Sequence, residues 1–93
     1  SVEISFEEYQ QESGSYNLLD VRTYQEREEA HIGGAHIPLD ELSDRLSELP
    51  HEKQLLVYCK SGMRSKAAID ILKQNGFENT VNLKGGLMSV SLK

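Results

Sequence analysis

The chain lacks tryptophan altogether and has one cysteine and two prolines among its 93 residues. One cysteine, Cys59, excludes an intrachain disulfide and a cysteine-built zinc cluster. The three histidines, His31, His36 and His51, have no ligand spacing and suggest no metal site. Neither a low-complexity tract nor an internal repeat is present. Positive charge is short as well: ten Lys and Arg stand against fifteen Asp and Glu, a net charge of −5. An acidic chain with no basic stripe is poorly suited to nucleic acid, because phosphate contacts supply most non-specific affinity. No apolar run approaches the roughly 18 residues of a membrane span, and the N-terminus has no charged-then-apolar signal pattern. A soluble, cytoplasmic protein is the expectation. The chain begins at Ser1 rather than Met, as processed chains and pieces of longer ones do.

Apolar residues, by contrast, are sufficient. Leu, Ile, Val and Phe make up about a quarter of the chain, above the level of disordered sequences. Ninety-three residues are one domain's worth, so residues 1–93 read as a single domain around one small core.

Punctuation divides the chain into alternating strands and helices. Val2 to Ile4 reads as a short strand. Ser5 with Glu8 has capping-box spacing and Ile4 with Tyr9 hydrophobic-staple spacing, predicting a helix to about Glu12 that Gly14 stops. Asn17 to Val21 is a buried strand, and Thr23 with Glu26 repeats the capping box for a turn or two of helix. Gly33 and Gly34 mark an irregular segment ending at Ile37-Pro38. Leu39, Leu42, Leu46 and Leu49 predict a helix with one buried stripe, closed by Pro50. Gln54 to Tyr58 is apolar without alternation, as in a strand covered on both faces. A helix from about Arg64 to Asn75 follows, with Ala67, Ala68, Ile71 and Leu72 as its stripe. Gly76 is placed as its left-handed stop, with Phe77 folding back on Leu72. Thr80 to Leu83 is a last strand, before Gly85-Gly86 and a short tail. The alternation implies an α/β domain with a mainly parallel sheet and right-handed crossovers.

Chemistry concentrates where the apolar strand Gln54 to Tyr58 ends. Cys59 follows an apolar strand immediately and precedes a helix, with Ser61 and Gly62 between them. Ligands of open α/β sheets bind beyond the carboxyl ends of strands, and a loop entering a helix N-terminus turns several N–H groups toward one point. A thiol held there is drawn toward thiolate. A free cysteine after a buried strand can equally be a small core hydrophobe. Lys60 and Arg64 tip the balance, since a core cysteine has no need of flanking positive charge.

The segment C-K-S-G-M-R-S at 59 to 65 resembles the active loop of rhodanese-like sulfurtransferases, C-x-x-G-x-R-S. D-V-R at 20 to 22 and H-I-G-G-A-H-I-P at 31 to 38 match further family motifs in order, and N-G-F at 75 to 77 and L-K-G-G at 83 to 86 look familiar. The resemblance implies a three-layer rhodanese-like fold, with a five-stranded, mainly parallel sheet flanked by helices. It puts Arg22 and Cys59 in one crevice, where neighbouring strands diverge to opposite sides of the sheet.

The family's chemistry implies a catalytic Cys59. Its sulfur takes a sulfane sulfur from a small anionic donor such as thiosulfate, or from a persulfide. It then passes that sulfur to an acceptor, cyanide or a thiol, including a protein thiol. The active loop would comprise Lys60, Ser61, Gly62, Met63 and Arg64, supported by Asp20, Arg22 and Ser65. Neither metal nor organic cofactor is required. Arg64 is expected to brace the loop through a carboxylate, Glu26 to partner Arg22, and Lys60 to meet the donor. His31 would fix the turn at Gly33-Gly34, leaving His36 and His51 at the surface. A persulfide carrier or interaction module within a larger protein is the alternative. Phosphatase or arsenate chemistry belongs to relatives with five residues between cysteine and arginine, whereas here four intervene. The family's usual C-terminal Trp position holds Val90, so the last helix is the one element the resemblance leaves open.

Overall fold

The computed structural model describes residues 2–90. Five strands, β1 (Val2–Ile4), β2 (Tyr16–Asp20), β3 (Ala35–His36), β4 (Gln54–Tyr58) and β5 (Thr80–Leu83), form one sheet in the order β1-β5-β4-β2-β3. Every neighbouring pair is parallel. Three α-helices, α1 (Phe6–Gln11), α2 (Tyr24–Glu29) and α3 (Met63–Gln74), lie among the crossovers. From β2 the chain moves outward to β3, and from β4 it moves the opposite way to β5. The switch point therefore falls between β2 and β4, at the two strand ends that carry Arg22 and Cys59.

Burial follows strand alternation. Leu55, Val57 and Cys59 of the central strand join a core with α3 residues Ala68, Ile69 and Leu72, while Leu56 and Tyr58 face a second core with Val81, Leu83 and Leu87. Both faces of β4 are thus covered, which is why Gln54–Tyr58 lacks alternation.

Local signals set the helix ends. Ser5 and Thr23 each form a complete capping box, with Glu8 and Glu26 as the returning side chains. At the end of α3, Gly76 turns left-handed (φ +90°). The Phe77 N–H donates to the Leu72 carbonyl at 2.9 Å and the Gly76 N–H to that of Lys73 at 3.3 Å, the two bonds of a Schellman motif.

Two expectations are corrected, and the element left open at the C-terminus is settled. The Leu39–Leu49 stretch is not one α-helix but two 3₁₀ segments, Leu39–Asp44 and Leu46–Glu48, separated at Arg45. Leu39 and Leu42 lie three apart within the first segment, and Leu46 lies three before Leu49, which ends the second, so a three-residue turn stacks each pair. The leucines still reach the core, where Leu42 and Leu49 are buried. In α3 the covered residues are Ser65, Ala68, Ile69 and Leu72, and Ala67 faces solvent. A serine occupies the head of that stripe because it serves the sulfur of Cys59 rather than the apolar core. At the C-terminus Gly86–Ser89 is a 3₁₀ turn, and Val90 packs against the second core at the position the family usually fills with Trp. Residues 91–93 of the tail lie outside the described region.

Candidate active site

Cys59 directly follows β4 and is wholly covered. Its Sγ accepts the Gly62 N–H at 3.0 Å and the Ser65 N–H at 3.4 Å, and lies 3.5 Å from the Ser65 hydroxyl. Gly62 is the N-cap of α3, left-handed at φ +102° and without a side chain to cap the helix. Ser65 is the third residue of that helix, so the sulfur takes the place that a capping oxygen would hold. Burial pushes the Cys59 thiol up. The Ser65 hydroxyl and the amides of Ser65, Gly62 and Ser61 outweigh it, and the thiol settles below its ordinary value. This is the geometry of a stabilised thiolate.

A second loop, at the end of β5, fastens the base of the first. The Leu87 N–H donates to the Cys59 carbonyl at 2.8 Å and the Met88 N–H to that of Lys60 at 2.9 Å. Gly86 makes this approach possible, because a Cβ there would lie 2.5 Å from the Lys60 oxygen and 2.7 Å from that of Cys59. L-K-G-G is thereby a part of the site's frame.

Arg64 does not reach into the loop. Its guanidinium holds the Glu26 carboxylate with two bonds, at 2.7 and 2.9 Å. The Arg64 hydrogen bond keeps the Glu26 carboxyl down at about 2, against partial burial. Glu26 therefore braces Arg64 and not, as expected, Arg22. Instead, Arg22 is bidentate on buried Asp20 at 2.8 Å for both bonds, and gives a third to the Ala30 carbonyl at 2.6 Å. Asp20 and Arg22 form a buried prop beneath the crevice, with Arg27 a further 3.6 Å from the same carboxylate.

A crevice of about 240 Å³ opens above this prop, between Arg22, Glu26, Lys60 and Met88. Lys60 is exposed at its side, Ser61 is exposed on the loop, and Met63, 73 % exposed, stands at the start of α3. His31 accepts the Gly33 N–H at 3.0 Å and so holds that turn. His36 is not the free surface residue expected: it is half-buried, and its Nε2 lies 2.7 Å from the Arg22 carbonyl. His51 is exposed and stacks on Phe77 with ring centroids 4.2 Å apart.

Glu26→Gln separates the brace from the cap, since glutamine still completes a capping box. The variant should lose about 1 kcal/mol of stability at neutral pH, the value of a good partly exposed ion pair. A carboxyl lowered in the folded state contributes above its ordinary value near 4.5 and loses that contribution as pH falls toward about 2. Denaturant melts of the two proteins should therefore differ at pH 7 and converge on acidification. A constant difference down to the lower limit would show that the ion pair is not its source.

The site residues missed by sequence reasoning are Gly86, whose motif was noticed without a role, and Asn82. Asn82 lies wholly buried in β5 and meets both Ser65 and Gly62. Its signal was a lone amide in the otherwise apolar run Val81 to Leu83.

Comparison with known proteins agrees with this fold. The Rhodanese-like domain profile matches residues 5–93. A putative sulfur carrier protein, YrkF of Bacillus subtilis, is 40 % identical over 89 residues, covering 91 % of this chain and 48 % of its own length. A sulfurtransferase of Allochromatium vinosum is 36 % identical over 73 residues, covering 77 % of this chain and 68 % of its own. Among solved structures, a rhodanese-related protein of Thermoplasma volcanium superposes with a TM-score of 0.87 at 31 % identity, covering 96 % of this chain and 89 % of that one. The human single-domain sulfurtransferase gives 0.81 at 25 % identity, covering 92 and 91 %. The chain spans about half the length of the first curated relatives, 48 and 56 %. With its parallel sheet, its strand-end cysteine and a family profile that covers nearly its whole length, the chain belongs to the rhodanese-like domain family.

Proposed function

We propose that the protein transfers sulfane sulfur through a persulfide on Cys59. The observation that carries this reading is the sulfur itself, held by the Gly62 and Ser65 amides at the head of α3. The Cys59 thiolate attacks the outer sulfur of a donor such as thiosulfate. A new S–S bond forms, the donor's S–S bond breaks, and sulfite leaves with the bonding pair. The terminal sulfur of the persulfide is anionic and needs what the thiolate needed, N–H groups aimed at one point. An acceptor thiolate or cyanide then takes that sulfur and its attack returns the Cys59 thiolate, so the cycle is redox-neutral. Lys60, exposed beside the crevice, suits the anionic donor. With Arg64 committed to Glu26, the loop lacks the inward-turned arginine that a phosphate would require. Four residues between Cys59 and Arg64 also close a tighter ring than the five of phosphatase relatives.

The second reading is a carrier that keeps the persulfide for a partner. Exposed Met63 and Met88 near the loop favour it, since apolar side chains at a site's rim suit a protein acceptor more than a small anion. Relatives bear both kinds of name, sulfur carrier and sulfurtransferase.

Intact-mass measurement after incubation with thiosulfate tests the common step. The protein should gain one sulfur, and reductant should remove it. Multiple turnovers with cyanide would then mark an enzyme, and a stable single load a carrier. Release of phosphate from an aryl phosphate without sulfur gain would overturn the proposal.

A further inference from the structure

Asn82 is an amide with no exposed surface, set between Val81 and Leu83. In register it stands beside Val57 of β4, and so on the sheet face that α3 covers. Burying an amide is unfavourable unless its hydrogen bonds are made. Here Oδ1 accepts from the Ser65 hydroxyl, and Nδ2 lies 3.3 Å from the Gly62 carbonyl and 3.4 Å from Glu3 Oε2. Two of these three partners belong to the stretch that holds the sulfur.

Ser65 is the point of competition. A hydroxyl has one proton. Around Ser65 Oγ stand three acceptors: Asn82 Oδ1, the Gly62 carbonyl at 3.0 Å, and Cys59 Sγ at 3.5 Å. Asn82 is the nearest of them, so the proton rests there, and a Cys59 thiol can donate to the free side of the hydroxyl oxygen. Once Cys59 is ionised, Ser65 can serve the sulfur only by abandoning Asn82.

We propose that Asn82 is a positioning residue of the sulfur-transfer site, competing with Cys59 for the Ser65 hydroxyl proton and so limiting how far that hydroxyl stabilises the thiolate. It touches neither sulfur nor donor and acts through Ser65. Its benefit is kinetic. A thiolate stabilised too far loses nucleophilicity, and the best attacking thiol ionises near ambient pH. The backbone amides already stabilise the sulfur, and Asn82 keeps the hydroxyl from adding to them without limit. The inference rests on Cys59 being the sulfur-bearing nucleophile.

The charged groups around the sulfur are Arg64 on α3, Glu26 on α2, Asp20 and Arg22 at the end of β2, Lys60 on the loop and Glu3 on β1. Asn82→Leu changes none of them. The Gly62 carbonyl keeps the Lys66 N–H at 3.3 Å when Asn82 is removed, so the helix start remains tied.

Iodoacetamide alkylation of the whole protein against pH gives the test. In Asn82→Leu the released hydroxyl donates to the thiolate, and the midpoint should fall by about one pH unit. The plateau rate should fall about threefold, because nucleophilicity follows thiol basicity. In a Ser65→Ala background the same substitution should leave the midpoint in place. A purely structural role for Asn82 would slow alkylation at every pH without moving the midpoint. That result, or an equal shift in the Ser65→Ala background, would overturn the proposal. If melting shows that Asn82→Leu does not fold, Asn82→Asp replaces it. A carboxylate holds the Ser65 proton harder and adds negative charge, so the midpoint should rise, and an unmoved or lower one would be equally fatal. Alkylation needs no sulfur donor. A protein that shows these shifts yet gains no sulfur from thiosulfate would contradict the proposed function and leave the role of Asn82 standing.

Discussion

Cys59→Ser should gain no sulfur from thiosulfate and lose at least about a thousandfold in transfer to cyanide, the scale on which nucleophile deletions act. The chain has no second cysteine to take over, so no residual persulfide can form elsewhere. A serine hydroxyl stays protonated at neutral pH and is a poor nucleophile toward sulfur. The fold should tolerate the exchange, because the smaller Oγ can still accept from the Gly62 and Ser65 N–H groups that now point at Sγ. Cys59→Ala offers those buried amides nothing, and leaving buried donors unpaired costs about 1–3 kcal/mol. Melting should therefore rank alanine below serine, with both inactive. Sulfur gain by the serine variant in intact-mass spectra would remove Cys59 from the mechanism. Alanine melting as high as serine would show that the sulfur does not cap α3.

Gly86→Ala is expected to damage the frame of the Cys59 loop severely. The added Cβ would sit 2.5 Å from the Lys60 carbonyl oxygen and 2.7 Å from that of Cys59, against backbone that cannot swing aside. The left-handed φ of +63° adds about 1–2 kcal/mol for any residue with a Cβ. Relief requires moving the 86–88 turn away from the loop, which breaks the Leu87 and Met88 bonds to the Cys59 and Lys60 carbonyls. A loss of about 3 kcal/mol or more would lower the midpoint of a domain this size by some 10 °C or more. Sulfur transfer should fall with it, since the base of the catalytic loop moves. Gly76→Ala is the control. It shares the positive φ, at +90°, but its Cβ would meet nothing within 4 Å. It should therefore show only the backbone cost and retain activity. Equal melting points for the two variants would mean that the close approach at Gly86 carries no energy.

The helix boundaries show how far local rules reach. Capping boxes at Ser5 and Thr23 and the glycine stop at 76 were legible because each is settled by residues at most five apart. Leu39 to Leu49 was misread for the opposite reason. A spacing of three satisfies an α turn and a 3₁₀ turn alike, and only packing chooses between them. In α3 the buried stripe was displaced by Ser65, a polar residue that periodicity assigns to solvent but that the sulfur holds inside.

The sequence by itself determined the class of the chain and singled out Cys59 as its candidate nucleophile. Alternating strands and helices, an apolar strand without alternation, and a cysteine at its end followed by a small-residue loop are all patterns of neighbours along the chain. Tertiary structure alone decided who braces whom. Glu26 meets Arg64 across 38 positions, Asn82 meets Ser65 across 17, and Leu87 grips Cys59 from 28 positions away. These pairings arise because β2, β4 and β5 are parallel neighbours whose carboxyl ends meet at the same end of the sheet. Charge complementarity offered Glu26 two arginines, and the sequence could not rank them. Arg22 is consumed by Asp20, two residues away, and buried at the strand end, which leaves Glu26 to Arg64.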